Sequence, residues 1–363
     1  MTEPPKHRAS ETARGGAREV VLLYHPTRPD AHAAATSVHE GLTSAGLSVR
    51  AVSPASDAEP RPDTMVEGAE LVVVLGGDGS ILTGTELARP HGVPVLGVNL
   101  GHVGFLAEAE PEALPEVVRR IVARDYLVEE RMTVDVTVRT PDGATHHGWA
   151  LNEAAVEKGP EGRMVEAALG VDGRGLSTFA CDAVVLATPT GSTAYAFSAG
   201  GPIVWPGLEA LLVVPVAAHA LFTRPMVVGR ESVLEVEILA EARGTAVVRC
   251  DGRRTIEAPP GSRIEVRRGT RPALLALLSE APFSGRLVAK FDLPVTGWRG
   301  GLMTASPQDQ GSSASGVEGS PGVDSAAQQE DTGKGLPGVE GSPGVDSPDQ
   351  DGVPAAPDQG AAP

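Results

Sequence analysis

The sequence predicts an α/β N-terminal domain with a Rossmann-like parallel sheet, an all-β C-terminal sandwich domain and a disordered acidic tail. Three observations carry that prediction. Up to residue 128, short unbroken apolar runs alternate with helical stretches, the pattern of a parallel sheet with crossover helices. From Glu130 the apolar residues recur with period two, and helix signals almost vanish. After Leu302 the apolar periodicity ends, and the segment GVEGSPGVDS at 316–325 returns at 338–347.

Residues 1–17 are polar and rich in Gly and Ala, so disorder is expected there. The α/β domain, 18–128, opens with a strand at 19–24, EVVLLY. A helix follows from Asp30, read as an N-terminal cap, to Gly46. A strand at 47–52 and a Pro-rich loop at 53–68 come next. Leu71 to Leu75 is an apolar run of strand length, read as buried on both faces, and it runs into Gly76-Gly77-Asp78-Gly79-Ser80. A helix at 81–89 capped by Ser80, a strand at 93–98 ending in the glycine-rich segment 101–104, and a helix at 112–124 complete the domain. In parallel sheets ligands sit beyond the C-terminal ends of the strands. Both glycine-rich loops fall at that edge.

The second domain, 129–281, begins with the alternating run TVDVTVRT at 133–140 and a hairpin turn at Pro141-Asp142-Gly143. Further strands are expected at 147–157, 164–171, 176–180, 183–187, 211–216, 225–228, 232–239, 245–250 and 263–268, with 272–279 as the last. They predict a two-layered β domain. Residues 282–302 are punctuated by Pro and Gly. The 303–363 segment has too little apolar surface to offset the entropy of ordering it.

The 363 residues leave room for two domains, and the net charge of −17 is unevenly spread. Ser306 to Pro363 hold ten acidic residues and one lysine, a net −9 that leaves −8 for the rest. No basic footprint for nucleic acid is present. The two cysteines, Cys181 and Cys250, form no CxxC and stand beside no His cluster, which argues against zinc and against a disulfide scaffold. The N-terminus lacks the apolar core of a secretory signal, and no apolar run approaches membrane-spanning length. A reduced cytoplasmic protein is the expectation.

Several stretches carry chemistry. A strand, a glycine turn and a helix N-terminus at 71–84 form an anion site, because free N–H groups and the helix dipole point at the ligand. Asp78 in that turn repels a phosphate unless it binds a metal or takes a proton; a plain βα turn with a capping Asp is the other reading of these residues. Asn152 and Glu153, an amide and a carboxylate side by side, suit a diol such as a ribose, or are two polar residues at a strand end. From Asp182 to Pro202 a strand feeds a loop dense in small hydroxyl residues and glycines, including Thr188, Thr190, Gly191, Ser192, Thr193 and Ser198. Such loops let backbone N–H groups converge on phosphates, and Tyr195 is placed to stack on a base. Cys250-Asp251-Gly252-Arg253 reads first as a hairpin turn and second as a ligand contact. The P-loop motif, the protein-kinase motif set and the standard dinucleotide fingerprint are all missing.

In this order and spacing, GGDG at 76–79, the Asn152-Glu153 pair and ATPTGSTAYAFSAGGPI at 187–203 resemble the ATP-dependent NAD kinase family. The likeness extends over roughly 18–300, through GVNLGHVGFLAEAE, NEAAVEKGP, AHALFTRPM and FDLPVTGWRG, whose Trp-Arg-Gly ending is similar to actinobacterial members. GGDG alone is shared with lipid kinases and phosphofructokinases; the TPTGSTAY segment is far more specific. The resemblance implies a kinase that phosphorylates the adenosine 2′-hydroxyl of NAD with ATP, another nucleoside triphosphate or polyphosphate. It implies homodimers or homotetramers, and a last segment, 282–302, that packs back on the first domain. Asp78 is then the general base and Gly79 lies against substrate. Phe105 lines the pocket. Asn152 and Glu153 hold ribose or nicotinamide-side groups, with Arg163 and Ala180 as further contacts. Asp182 meets the base or carboxamide. Thr193, Ala194, Tyr195, Ala196, Phe197 and Ser198 wrap the adenosine, and Arg253 falls at another contact. Gly76, Gly77, Thr83, Thr190 and Gly191 fall in the donor region. No metal ligand is identified; Mg²⁺ bridges the donor phosphates, since the motifs offer few cations.

Two departures stand out. Thr83 replaces the Lys or Arg usual near that position, and Ala183 follows Asp182 where Gly is usual. The Thr83 change leaves the phosphate-clamp contact and the donor preference open. A GGDG-type lipid kinase and a non-catalytic NAD(P) sensor are the alternatives.

Overall fold

The structure, a computed structural model, describes residues 4–9, 18–25, 28–52, 63–100, 104–107, 113–160, 162–221, 223–279 and 282–295. The expectations for 10–17, for most of the Pro-rich loop at 53–68, for 101–103, for 296–302 and for the 303–363 tail fall outside the described residues.

In chain order the first elements are β1 (Lys6–Arg8), β2 (Glu19–Tyr24), α1 (Pro29–Ser44), β3 (Ser48–Val52), β4 (Leu71–Leu75), α2 (Asp78–Ala88), β5 (Val95–Val98), α3 (Leu114–Ala123) and β6 (Leu127–Arg131). Then come β7 (Val134–Arg139), β8 (Thr145–Ala150), β9 (Glu153–Lys158), β10 (Val165–Val171), β11 (Arg174–Cys181), β12 (Ala183–Ala187) and the short α4 (Tyr195–Ser198). The chain continues through β13 (Ala210–Val216), β14 (Met226–Gly229), β15 (Leu234–Ile238), β16 (Ala246–Cys250), β17 (Arg254–Ala258), β18 (Arg263–Arg268), β19 (Ala273–Leu277) and α5 (Phe283–Phe291).

The N-terminal α/β domain is built on a seven-stranded sheet of order β1-β6-β19-β5-β4-β2-β3. Its strands from β19 to β3 pair in parallel, while β6 pairs antiparallel with both of its neighbours, β19 and β1. All five residues of β4 are fully buried because helices cover both faces of the sheet. Successive side chains point to opposite faces. Leu71, Val73 and Leu75 therefore pack with Val38 and Leu42 of α1 and with Val117 and Ile121 of α3. Val72 and Val74 pack with Ile81 and Leu87 of α2. The C-terminal domain is a sandwich of two six-stranded antiparallel sheets, β11-β10-β15-β18-β7-β8 and β14-β13-β12-β9-β16-β17. Their inward residues, among them Val136, Val156, Val184, Leu186, Val213 and Val248, form one core.

The structure differs from the sequence reading in specific ways. β1 lies within the segment expected to be disordered, where Lys6, His7 and Arg8 pair with Glu129, Val128 and Leu127 of β6. The 272–279 run was expected to close the sandwich; as β19 it pairs instead with β6 and β5 of the first sheet. Its apolar continuity suits that place, though β12 is as continuously apolar and lies in the sandwich. ALLAL buries Leu275 and Leu277 on one face of that sheet and Ala276 on the other, as a strand covered on both sides must. β6 hid behind its charges: Glu129 and Arg131 are buried and paired with each other, with Lys6 3.8 Å from Glu129. The expected strand 147–157 is two strands in different sheets, broken at Leu151 and Asn152. Neither Asp30 nor Ser80 caps a helix. α1 begins after Arg28 with Pro29 in its first turn, and α2 begins after Gly77, both without a side-chain cap. Among the described residues, no helix is long and apolar enough to cross a membrane.

Candidate active site

β2, β4 and β5 end together, since Tyr24 is level with Leu75 and Leu75 with Val98. The chain leaves β4 through buried Gly76 and half-buried Gly77, and α2 starts at Asp78. A carboxylate in the first turn is favoured by the helix dipole. Asp78 is also pinned from across the sheet edge. Its Oδ2 accepts the N–H of Phe105 at 3.0 Å and its Oδ1 the N–H of Leu106 at 3.1 Å. Gly104 permits this approach, because a Cβ there would lie 2.3 Å from Asp78 Oδ1. Gly79 is exposed beside it.

A second carboxylate stands at the corner where the chain passes from one sandwich sheet to the other. Leu151, Asn152 and Glu153 are all buried there. The corner is braced by Asp251, in the turn between β16 and β17, at a left-handed φ of 54°. Asp251 Oδ2 accepts the Leu151 N–H at 3.0 Å and Oδ1 the Asn152 N–H at 2.7 Å, while Arg254 donates to Oδ2 at 2.7 Å. The Asp251 N–H returns a bond to the Glu153 carbonyl at 2.9 Å. Glu153 has less support: one backbone hydrogen bond, from Tyr195, favours its charge, and its Oε2 is buried without a hydrogen-bond partner. Burial first, and the nearby Asp251 charge second, push its pKa up to about 8. Burial also raises Asp251, but Arg254 and the backbone amides hold its charge. Of the pair, Glu153 is the one that carries a proton near neutral pH.

The 188–198 loop wraps this corner, and its hydroxyls are used inside the protein. Thr188 donates to the Leu151 carbonyl at 2.6 Å and accepts the Gly191 N–H at 3.1 Å. Ser192 donates to the Pro189 carbonyl at 2.6 Å and accepts the Val204 N–H at 2.9 Å. Thr193 donates to the Thr190 carbonyl at 3.2 Å. Gly191 packs so tightly that a Cβ would sit 2.0 Å from the Asn152 carbonyl oxygen. The loop's polarity thus holds its shape around Asn152 rather than leaving a row of free hydroxyls.

The remaining expected residues sort by exposure. Tyr195 is half-buried, its hydroxyl pKa raised by burial and then by Glu157, Asp182 and Glu153, which places those carboxylates about it. Phe197 and Ser198 are exposed, and Ala194 is half-buried. Asp182 pairs with Lys158 at 2.6 Å. Ala180 accepts the His219 N–H at 2.8 Å, and Arg163 lies exposed. Arg253 reaches Glu86 of α2 at 3.3 Å. Phe105 is only 8% exposed, with its ring 5.8 Å from that of Phe291, which in turn is 4.8 Å from that of Phe197.

Four expected positions are not presented to a ligand. Thr83 is 4% exposed, with its hydroxyl turned back to the Gly79 carbonyl at 3.3 Å. The Ala196 side chain is fully buried in a small core with Val185 and Leu212. Thr190 and Gly191 are buried beneath the loop, Thr190 accepting from Arg131 at 3.5 Å. Conversely, the bracing roles of Asp251, Arg254 and Glu86 were not legible; the Asp-Gly turn at 251–252 was the one signal. Among the described residues, no group of three or more His, Cys, Asp or Glu is arranged to hold a metal ion.

The family models for the ATP-NAD kinase N-terminal and C-terminal domains match residues 32–126 and 151–278. An NAD kinase of Thermobifida fusca is 54% identical over 312 residues, covering 81% of this chain and 94% of that protein. NAD kinase 2 of Streptomyces coelicolor is 54% identical over 293 residues, covering 78% and 97%. Yeast NADH kinase complexed with NADH superposes with a TM-score of 0.70 at 22% identity, over 78% of this chain and 89% of that one, a likeness of fold. An NAD kinase from Archaeoglobus fulgidus in complex with ATP gives a TM-score of 0.61 at 29% identity, over 76% of this chain and all of that one. With both domain models matched and relatives at 54% identity over four-fifths of its length, this chain belongs to the ATP-NAD kinase family.

Proposed function

We propose that this protein is an NAD kinase that moves the γ-phosphoryl group of ATP to the adenosine 2′-hydroxyl of NAD, giving NADP, with Asp78 as general base. The observation that supports this most is the placement of Asp78. It begins α2 at the C-terminal edge of the parallel sheet and is held by the Phe105 and Leu106 amides. Phosphoryl transfer asks mainly for positioning and charge neutralisation. A carboxylate oxygen has lone-pair sites beyond those two bonds and can accept the hydroxyl proton as the 2′-oxygen attacks phosphorus. The Gly77 and Gly79 backbone and the α2 N-terminus suit the donor's phosphates.

Glu153 Oε2, buried and unpartnered, matches a ribose hydroxyl. Asn152, Asp182, Arg163, Ala180 and Arg253 are further contacts in this reading, with Tyr195 and Phe197 offering ring faces to the bases. With no cage for a metal among the described residues, Mg²⁺ enters with ATP as part of the substrate. A cytoplasmic homodimer or homotetramer serving NADP biosynthesis belongs to the same reading.

The test is NADP formation by the full chain with NAD, Mg²⁺ and either ATP or polyphosphate. Asp78→Asn keeps the turn and cannot take the proton. It should cut turnover by about 10² to 10⁴ while NAD affinity stays within a few-fold. Near-normal turnover would remove the base assignment. Recovery of the variant at high Mg²⁺ would make Asp78 a metal contact instead.

A further inference from the structure

We propose that Arg286 is a positioning residue for Asp78, acting through the backbone of residues 105–107. The inference rests on the reading of Asp78 as the base. Arg286 lies on α5, and its Nη1 donates to the Phe105 carbonyl at 3.1 Å and, more distantly, to the Ala107 carbonyl at 3.5 Å. The amides that pin Asp78 belong to Phe105 and Leu106. One short segment therefore carries both sets of bonds, its carbonyls turned to α5 and its amides to the carboxylate. Of the segment's own side chains, Leu106 is buried in the core with Val72 and Ile81, while Gly104 has none.

The aromatic contacts point the same way. The Phe105 ring stands 6.2 Å from that of Phe283 and 5.8 Å from that of Phe291, both on α5. Phe283 also meets Trp205 edge-on at 5.3 Å. α5 thus grips residue 105 by its ring as well as its main chain. The rings fix where Phe105 lies. The charged donor fixes which way the Phe105–Leu106 peptide faces, because a guanidinium on the Phe105 carbonyl leaves the trans Leu106 N–H directed at Asp78 Oδ1. Removing Arg286 keeps the apolar docking of α5 and frees the peptides to rotate. Asp78 then loses the fixed orientation of its Leu106 donor, and misplacement of about 1 Å at a reacting group costs on the order of a hundredfold in rate.

The experiment uses the full chain with four changes: Arg286→Ala, Arg286→Lys, Asp78→Asn, and Asp78→Asn combined with Arg286→Ala. Turnover and Michaelis constants come from NADP formation, NAD affinity from calorimetry, and folding from thermal melts. Arg286→Ala should lower kcat by roughly ten- to a hundredfold, with NAD affinity within a few-fold, and Arg286→Lys should restore part of the loss. In the Asp78→Asn background the same Arg286→Ala change should have almost no further effect, because the carboxylate it serves is gone. An equal fold-loss in both backgrounds would overturn the proposal, as would an unchanged kcat in Arg286→Ala. If Arg286→Ala does not fold, Arg286→Lys in the two backgrounds makes the same comparison. Near-normal turnover in Asp78→Asn alone would fell the base reading itself, an outcome distinct from additive losses.

Discussion

Asp251 Oδ1 accepts the N–H of Asn152 at 2.7 Å, across 99 residues of chain. The same carboxylate is paired with Arg254, whose guanidinium lies 4.2 Å from the centre of the Trp149 ring. Arg89, just beyond α2, lies at 4.2 Å from that ring as well. Glu86 of α2 meets Arg253 at 3.3 Å and Arg254 at 3.4 Å. The helix that starts with Asp78 is therefore tied to the hairpin that holds Asn152 and Glu153. The two carboxylates of the proposed site, one from each domain, are built on a common support.

Asp251→Ala should loosen that support. It leaves the buried Leu151 and Asn152 amides without acceptors, and an unmet buried donor costs about 1–3 kcal/mol. We expect a loss of roughly 2–4 kcal/mol in unfolding free energy, measured by denaturant titration, together with weaker NAD binding in calorimetry. Unchanged stability would mean that water takes over both amides.

Glu153 predicts a pH dependence. Its folded-state pKa, about 8, lies above the ordinary carboxylate value of 4.5. Between those two values the folded protein holds a proton that the unfolded chain has released, so stability falls as pH rises. The contribution is fully present below about pH 4.5, shrinks through neutrality and is lost once pH passes about 8. Glu153→Gln has no proton to lose. Its melting temperature should fall less than that of the parent protein between pH 6 and 9 in differential scanning calorimetry. Parallel curves would contradict the assignment.

Gly104→Ala should act through Asp78. The added methyl would meet Asp78 Oδ1 at 2.3 Å, so the carboxylate must leave its two amides. We expect turnover to drop on the order of a hundredfold with little change in NAD affinity. A variant with normal kcat would show that the Asp78 position tolerates the shift.

Thr83→Arg separates two readings of one position. Read as a missing phosphate clamp, Thr83 invites an arginine that would alter donor use. At 4% exposure, it instead predicts a buried, unpaired charge costing several kcal/mol. Thermal melts should show a large loss for Thr83→Arg and a small one for Thr83→Ser. A stable Arg variant with a lower Michaelis constant for ATP would restore the clamp.

Chelation gives a further check. With no His, Cys, Asp or Glu cage among the described residues, EDTA should leave the melting temperature unchanged while stopping NADP formation. A fall in melting temperature on chelation would reveal a structural metal.

Local patterns were readable from the sequence wherever a few consecutive residues decide the outcome. The all-buried run Leu71 to Leu75, the alternating Arg263 to Arg268 and the glycine turn before Asp78 needed only side-chain period and backbone freedom. The motifs that mark the family were legible for the same reason. Tertiary structure alone decided which sheet took β19, since an apolar strand is equally content in either until both faces are covered. It alone placed the Phe105 and Leu106 amides on Asp78, 27 and 28 residues away, and the Asp251 carboxylate on the Asn152 corner. It turned Thr83 inward and left one oxygen of Glu153 buried without a partner. Local periodicity sets which residues are buried. Which groups meet once buried depends on how distant strands close against each other, and no window of neighbouring residues contains that geometry.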